Sequence, residues 1–371
     1  VKTKLLACAC LVSAALYGSE AFAQSSVTLY GLISGGLAYS TNQSGHHTYQ
    51  AASGTNQSPR WGLQGKEDIG GGTSIIFTLE NGFNVLNGTA SFNARMFGRQ
   101  AFVGLSNTSW GTVTLGRQYD TVEDLLDLNT GYNWNGTIGD NDNTYNNLHV
   151  NNAVKYTSPM YGGIQATAMY GFSNATSGFS NNRSFGGGLS YQYGAFNWNI
   201  AYTEFDHPYS ASNPTGALDT DYAASYLTFD RSALPTHAYA DKQRIFGTGG
   251  FYNIGALKLG ALYTDVNYFY LDGQHLDLQN FSVSANYMFH GDLLLGMGYV
   301  YTMGKYSLTG SKPRWRELNL AADYFLSKRT DIALIIYLQQ AGGGASADIQ
   351  GYYASSTNRQ LVSTLGIRHK F

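Results

Sequence analysis

Six stretches of the chain place apolar residues at every second position. SVTLYGLISGGLAYS (26–40) aligns Val27, Leu29, Ile33, Leu37 and Tyr39 on one face. TSIIFTLE (73–80) aligns Ile75, Phe77 and Leu79 against Ser74, Thr78 and Glu80. RSFGGGLSYQY (183–193) aligns Phe185, Leu189, Tyr191 and Tyr193, and FNWNIAYT (196–203) aligns Phe196, Trp198, Ile200 and Tyr202. NFSVSANYMF (280–289) and WRELNLAADYFL (315–326) repeat the pattern through Phe281, Val283, Tyr287 and Phe289, and through Leu318, Leu320, Tyr324 and Leu326. A period of two is that of strands whose two faces meet different surroundings. In PRWGLQGKED (59–68) the oily face holds Trp61 and Leu63, and the other face holds Arg60, Gln64 and Lys66.

The connections come in two lengths. Short ones lie at 68–72, 106–111, 159–163, 193–195, 253–256, 290–292 and 327–330. Long polar ones alternate with them at 40–57, 84–94, 119–148, 173–182, 205–241, 266–277, 305–314 and 341–358. Seven short turns and eight long loops separate sixteen strands. Short turns on one rim and long loops on the other are the pattern of an antiparallel transmembrane β-barrel. Closure leaves no bare strand edge in lipid.

Composition narrows the choice. Charged residues make up 12% of the chain, against ~25% in an ordinary soluble domain, while Gly counts 45 and Tyr 29. The most apolar run, at 293–304, is shorter than the ~20 residues of a spanning helix. The start, VKTKLLACACLVSAALYG followed by Ala21, Phe22 and Ala23, reads as an export signal with a small–x–small cleavage site. The expected organisation is a signal peptide at 1–23 and a single barrel domain at 24–371. Both cysteines, Cys8 and Cys10, fall in that signal, so the barrel is expected to hold without disulfides. The net charge of −2 gives no reason to expect nucleic acid.

SVTLYGLI, RWGLQGKEDIGGG, FGRQAFVGL, GTVTLGRQYD, NNAVKYTSP and the closing GIRHKF, taken in order, resemble the trimeric general diffusion porins of Gram-negative outer membranes. The resemblance runs from Ser26 to Phe371. It implies a sixteen-stranded barrel, a homotrimer, a third extracellular loop folded into the lumen, and a terminal Phe371 read by the barrel-assembly machinery. It also implies contact with outer-membrane lipid and lipopolysaccharide.

The pore wall follows from parity. With Trp61 and Leu63 toward lipid, Arg60 and Lys66 face the lumen. Reflection about Gly70 sets Arg60 opposite Glu80. A second reflection, about the loop 84–94, takes Glu80 to Arg99 and turns Gln100, Phe102 and Gly104 outward. The resemblance places Arg60, Glu80 and Arg99 on family wall positions. A further wall position, usually arginine in the family, is His149 here, so the basic cluster is expected to be weaker and pH-dependent near ~6.5. The third loop starts with Asp120, Glu123, Asp124 and Asp127, spaced for a helical turn anchored by Val122, Leu125, Leu126 and Leu128, and ends with Asp140 and Asp142. Its middle, where the family carries eyelet acids, offers only uncharged residues such as YNWN. Arg117 shares parity with the outward Val113 and Leu115. A lipid-facing charge is costly, so Arg117 is expected to meet protein, with a trimer interface the natural place.

No GxSxG or HExxH motif occurs, and His46 and His47 lack neighbours for a metal. Neither a cofactor nor a metal is expected. The expected function is passive diffusion of ions and small hydrophilic solutes with a modest anion preference. The alternatives are a channel specific for a sugar or aromatic acid, an outer-membrane barrel enzyme, and a surface-binding protein.

Overall fold

The computed structural model describes residues 25–127, 136–176, 178–223 and 227–371. The expected signal peptide, Leu128 and the YNWN stretch lie outside them. Long alternating segments become strands: β1 (Ser26–Gln43), β2 (His46–Ser53), β3 (Arg60–Gly70), β4 (Thr73–Gly82), β5 (Gln100–Asn107), β6 (Gly111–Tyr119), β7 (His149–Thr157), β8 (Ile164–Gly171) and β9 (Arg183–Tyr193). They continue as β10 (Phe196–Asp206), β11 (Ala240–Ile254), β12 (Leu257–Tyr270), β13 (His275–Phe289), β14 (Leu293–Tyr306), β15 (Arg314–Phe325), β16 (Thr330–Gly342) and β17 (Arg359–Lys370). One short helix, α1 (Thr121–Leu126), opens the third loop.

Neighbouring strands from β3 to β17 pair antiparallel in chain order. β1 closes the ring. Its lower half pairs with β3, from Ser26↔Lys66 to Leu32↔Arg60, and its middle pairs with β17, from Leu32↔Lys370 to Ser40↔Val362. β1 and β3–β17 form the closed sixteen-stranded barrel. The seventeenth strand, β2, lies in the first long connection and pairs with the upper half of β1 above β3. The sequence pattern presents 40–57 as one polar loop, because HHTYQAAS lacks the apolar alternation of the wall. The connection expected at 266–277 shrinks to 271–274, since β12 and β13 run on past the apolar band.

The apolar parity faces outward. Val27, Leu37, Val283 and Leu365 are 52–67% exposed, while the alternate residues Ser34, Asn280 and Thr364 are at most 2% exposed. An outward Leu or Val is sheltered only when hydrocarbon covers it, so the exposed belt is the lipid face of the wall.

Two registers differ from expectation. The β3–β4 turn centres on Gly71, so Glu80 opposes Gly62 and Arg60 opposes Gly82. That shift of two residues preserves the faces. On β5 the shift is one residue. Glu80 opposes Gln100, and Val103 and Leu105 point outward at 51% and 44% exposure. Gln100, Phe102 and Gly104 therefore share the lumen face with Glu80. A one-residue slip exchanges every side chain between faces. The cause lies in the loop before β5, where Phe92, Asn93 and Ala94 all take left-handed φ near 54–59° and upset a simple reflection.

Inside the wall, α1 lies against β9, β10 and β11. The backbone there comes close because it carries glycine. A Cβ on Gly188 would stand 2.4 Å from Leu125 Cδ1, and one on Gly247 would stand 2.3 Å from Leu126 Cδ1. Val122 and Leu126 are fully buried. Asp120 caps the helix, accepting from Val122 N at 2.6 Å and Glu123 N at 3.2 Å.

Candidate functional site

Four consecutive wall strands bring a charged cluster to one level. Glu80 projects inward from β4, and Arg99 stands just before β5 with its Nε donating to Glu80 Oε1 at 2.8 Å. Tyr30 on β1 donates to Glu80 Oε2 at 2.9 Å, and Tyr119 at the end of β6 donates to Oε1 at 3.0 Å. Arg99 Nη2 also donates to Tyr119 Oη at 2.9 Å, and its guanidinium lies 5.8 Å from the Phe92 ring centre. Both charges are buried, at 3% exposure for Arg99 and 4% for Glu80. The pair is a neutral, fully bonded brace.

Arg60 differs. Its Nε donates to Ser58 O at 3.2 Å, and no ion pair joins it to a carboxylate among the described residues. It borders a cavity of about 240 Å³ together with Phe92 and Arg99 on the wall and Asp127, Tyr145 and Asn147 on the third loop. A second space of about 250 Å³ is lined by Glu317, Tyr337 and Tyr352, and shares Ser58, Tyr145 and Asn147 with the first. Tyr145 and Asn147 thus stand between an arginine-lined and a tyrosine-lined compartment. Asp140 holds them there, accepting from Tyr145 N at 2.8 Å and from Asn147 Nδ2 at 2.8 Å.

The third-loop acids divide by role. Asp120 is spent on the helix cap and on Asn143. Asp140 is spent on the brace just described. Asp142 accepts from Thr137 Oγ1 at 2.8 Å and Thr264 Oγ1 at 2.7 Å, fixing the loop to β12. Asp124 pairs with Lys155 of β7. Glu123 is 3% exposed; burial first, then the charges of Asp120, Asp124 and Asp127, raise its carboxyl well above the usual range. Asp127 alone among them borders the arginine-lined cavity. Burial raises its carboxyl to about 6, against the opposing pull of Arg60 and Arg99 and with a further push from Asp124. The sequence reading treated these six acids as one set, and geometry leaves Asp127 as the member at the aperture.

Three expected wall residues sit elsewhere. His149 is fully buried between Phe92, at 4.6 Å ring to ring, and Tyr119, at 5.1 Å. Neither ring nitrogen has a hydrogen-bond partner. It packs behind the aperture and does not face water, because the left-handed loop carries Phe92 over it. Lys66 faces the lumen opposite Ile76, six residues down β3 from Arg60, or about 20 Å at strand rise. It belongs to the short-turn rim. Arg117 meets protein, within its own chain. A register break between Gly116 and Gln118 turns it from the lipid parity. It donates to Gly98 O at 2.7 Å and to Asn151, and pairs with Asp221 and, at 3.7 Å, with Asp219. Arg95 joins the same acids, with 2.5 Å to Asp219. Both acids come from the loop 205–241, where no local pattern marked them. Sequence reasoning also missed Tyr30, Tyr119, Phe92, Tyr145 and Glu317; inward parity was a usable sign only for Tyr30 and Glu317. Phe371 bonds backbone to backbone with Gly31, at 3.0 and 3.1 Å, across the β1–β17 seam.

A closed barrel with an oily outside, a polar bore and a narrowed, charge-lined level is a transmembrane diffusion channel. The chain belongs to the Gram-negative porin family, whose pattern it matches over residues 7–342. An outer membrane porin protein of Bordetella pertussis is 30% identical over 303 residues, covering 74% of this chain and 72% of that one. Outer membrane porin protein 32 of Delftia acidovorans is 28% identical over the full length of both. Among solved structures, an anion-selective porin from Comamonas acidovorans superposes with a TM-score of 0.74 at 22% identity, covering 94% of this chain and all of that one. The protein is a barrel of the Gram-negative outer membrane, and it forms a diffusion channel there.

Proposed function

We propose that the channel passes ions and small hydrophilic solutes passively, with a mild preference for anions set at the aperture between Arg60 and Asp127. One observation carries this reading: Arg60 borders the cavity with no ion-paired carboxylate among the described residues, while the Arg99 charge is matched by Glu80. Rings of charge in a narrow water-filled passage bias which ion enters. The single lining acid, Asp127, keeps the preference modest. The relative described as an anion-selective porin supports the same sign. The third loop acts as the element that narrows the bore, since α1 packs on the inner wall. A homotrimer is the assembly the family resemblance implies, and Phe371 is the residue the assembly machinery would read.

Purified protein in a planar bilayer under a tenfold KCl gradient tests this. The expected result is stepwise conductance with a reversal potential on the chloride side. A cation-side potential would overturn the preference, and no conductance would overturn the channel. Saturable block by one sugar or aromatic acid would favour the specific-channel reading.

A further inference from the structure

At the long-loop end of the outer wall, four residues stand side by side on adjacent strands: Tyr301 of β14, Arg316 of β15, Gln340 of β16 and Arg359 of β17. All four share the outward parity of the lipid-facing residues. The next outward row below them is Tyr299, Leu318, Leu338 and Leu361. Together these residues line an open groove of about 480 Å³. Its floor is apolar and its upper lip carries two guanidiniums.

The cations of this groove differ from others at the same rim. On β9–β11, Arg183 meets Asp206 at 2.8 Å, Lys242 meets Glu204 and Asp206 at 2.8 Å each, and Arg244 meets Glu204 at 2.9 Å. Neither Arg316 nor Arg359 has an ion pair among the described residues. Arg316 has only the Tyr301 ring, 5.7 Å from its guanidinium. The acid on the same strand, Glu317, has the inward parity and is 6% exposed. Cations set at the top of an apolar belt, with no protein anion, call for an anion from the membrane. Guanidinium binds phosphate through paired charge-assisted hydrogen bonds, and the leucine floor offers room for acyl chain.

We propose that this groove is a binding site for the phosphorylated, multiply acylated glycolipid of the outer leaflet, lipid A. Arg316 and Arg359 hold phosphate over Gln340, and Leu318, Leu338 and Leu361 receive an acyl chain. The site rests on the outer-membrane reading above, because the rim with the long loops must face the outer leaflet. It needs no part of the aperture, so channel activity and lipid retention are separable.

The test uses full-length protein refolded free of lipopolysaccharide. Binding of lipid A, dephosphorylated lipid A and phosphatidylglycerol is measured in detergent by native mass spectrometry, beside bilayer conductance. Wild type is expected to retain lipid A most strongly. Arg316→Gln with Arg359→Gln should weaken retention about tenfold or more, the scale of losing charge-assisted hydrogen bonds. Gln340→Glu should do the same with both arginines kept, by supplying them with a carboxylate across the strands. Conductance should not change in either variant. Equal retention by wild type and variants overturns the site. So does equal binding of dephosphorylated lipid A, or of phosphatidylglycerol. Loss of the oligomer in the variants, with lipid binding unaltered, would reassign the groove to a contact between copies of this chain.

Discussion

Arg99 and Glu80 face each other at 2.8 Å from neighbouring strands, with Tyr30 and Tyr119 completing the carboxylate's hydrogen bonds. Their charges cancel within the wall. The stabilising and the selecting tasks of the cluster therefore fall on different arginines.

Glu80→Gln should leave Arg99 buried without its counter-charge. Breaking one side of a buried pair costs about 3 kcal/mol. The barrel should unfold at lower urea concentration, and Glu80→Gln combined with Arg99→Gln should recover part of the loss. A single variant as stable as wild type would show that water in the bore screens the pair.

Arg60→Ser should move ion preference toward cations by about twofold in permeability ratio, measured as a reversal potential in a salt gradient. Arg99→Ser should move it less, because Glu80 already offsets that charge. An equal shift from both would place the Arg99 charge in the open aperture.

The pH response belongs to Asp127. Its carboxyl sits at about 6. Above that pH it is ionised and offsets Arg60; below it the acid is neutral and the aperture gains net positive charge. Anion preference should therefore rise as pH falls from 8 to 5. Asp127→Asn should fix the preference at the low-pH level. His149→Gln should leave the response intact, since the buried ring meets neither water nor an acceptor. A response abolished by His149→Gln would return the role to the histidine.

Asp120→Ala removes the cap of α1 and the partner of Asn143 and Thr203. The expected loss is about 1–2 kcal/mol, confined to the third loop. Limited proteolysis should cut between 119 and 148 sooner than in wild type, with the barrel's unfolding midpoint unmoved. A lowered midpoint would make the cap a determinant of the whole cylinder.

The wall was legible because period-two alternation survives wherever one face meets lipid. Strands β1, β4 and β13 could be oriented from Leu37, Phe77 and Val283 alone. Faces were lost where the chain leaves regular geometry. Three left-handed residues before β5 and the break beside Gly116 each turn parity by a step that no hydrophobic pattern records. The site was half legible for the same reason. Arg60, Glu80 and Arg99 fell on the wall, but Asp219 and Asp221 lie some hundred positions from Arg117 along the chain. Residue type could not tell the capping Asp120 or the bracing Asp140 from Asp127. That distinction depends on which backbone N–H groups each carboxylate finds.

Gly188 and Gly247 leave the inner wall bare where α1 lies against it. By thinning the lining at that spot, the cylinder gives back some of the cross-section its insert occupies. The free bore is therefore tuned at a distance from every charged group: a bulkier residue in this recess would push the helix toward the axis and throttle flow for all solutes alike, whatever their sign.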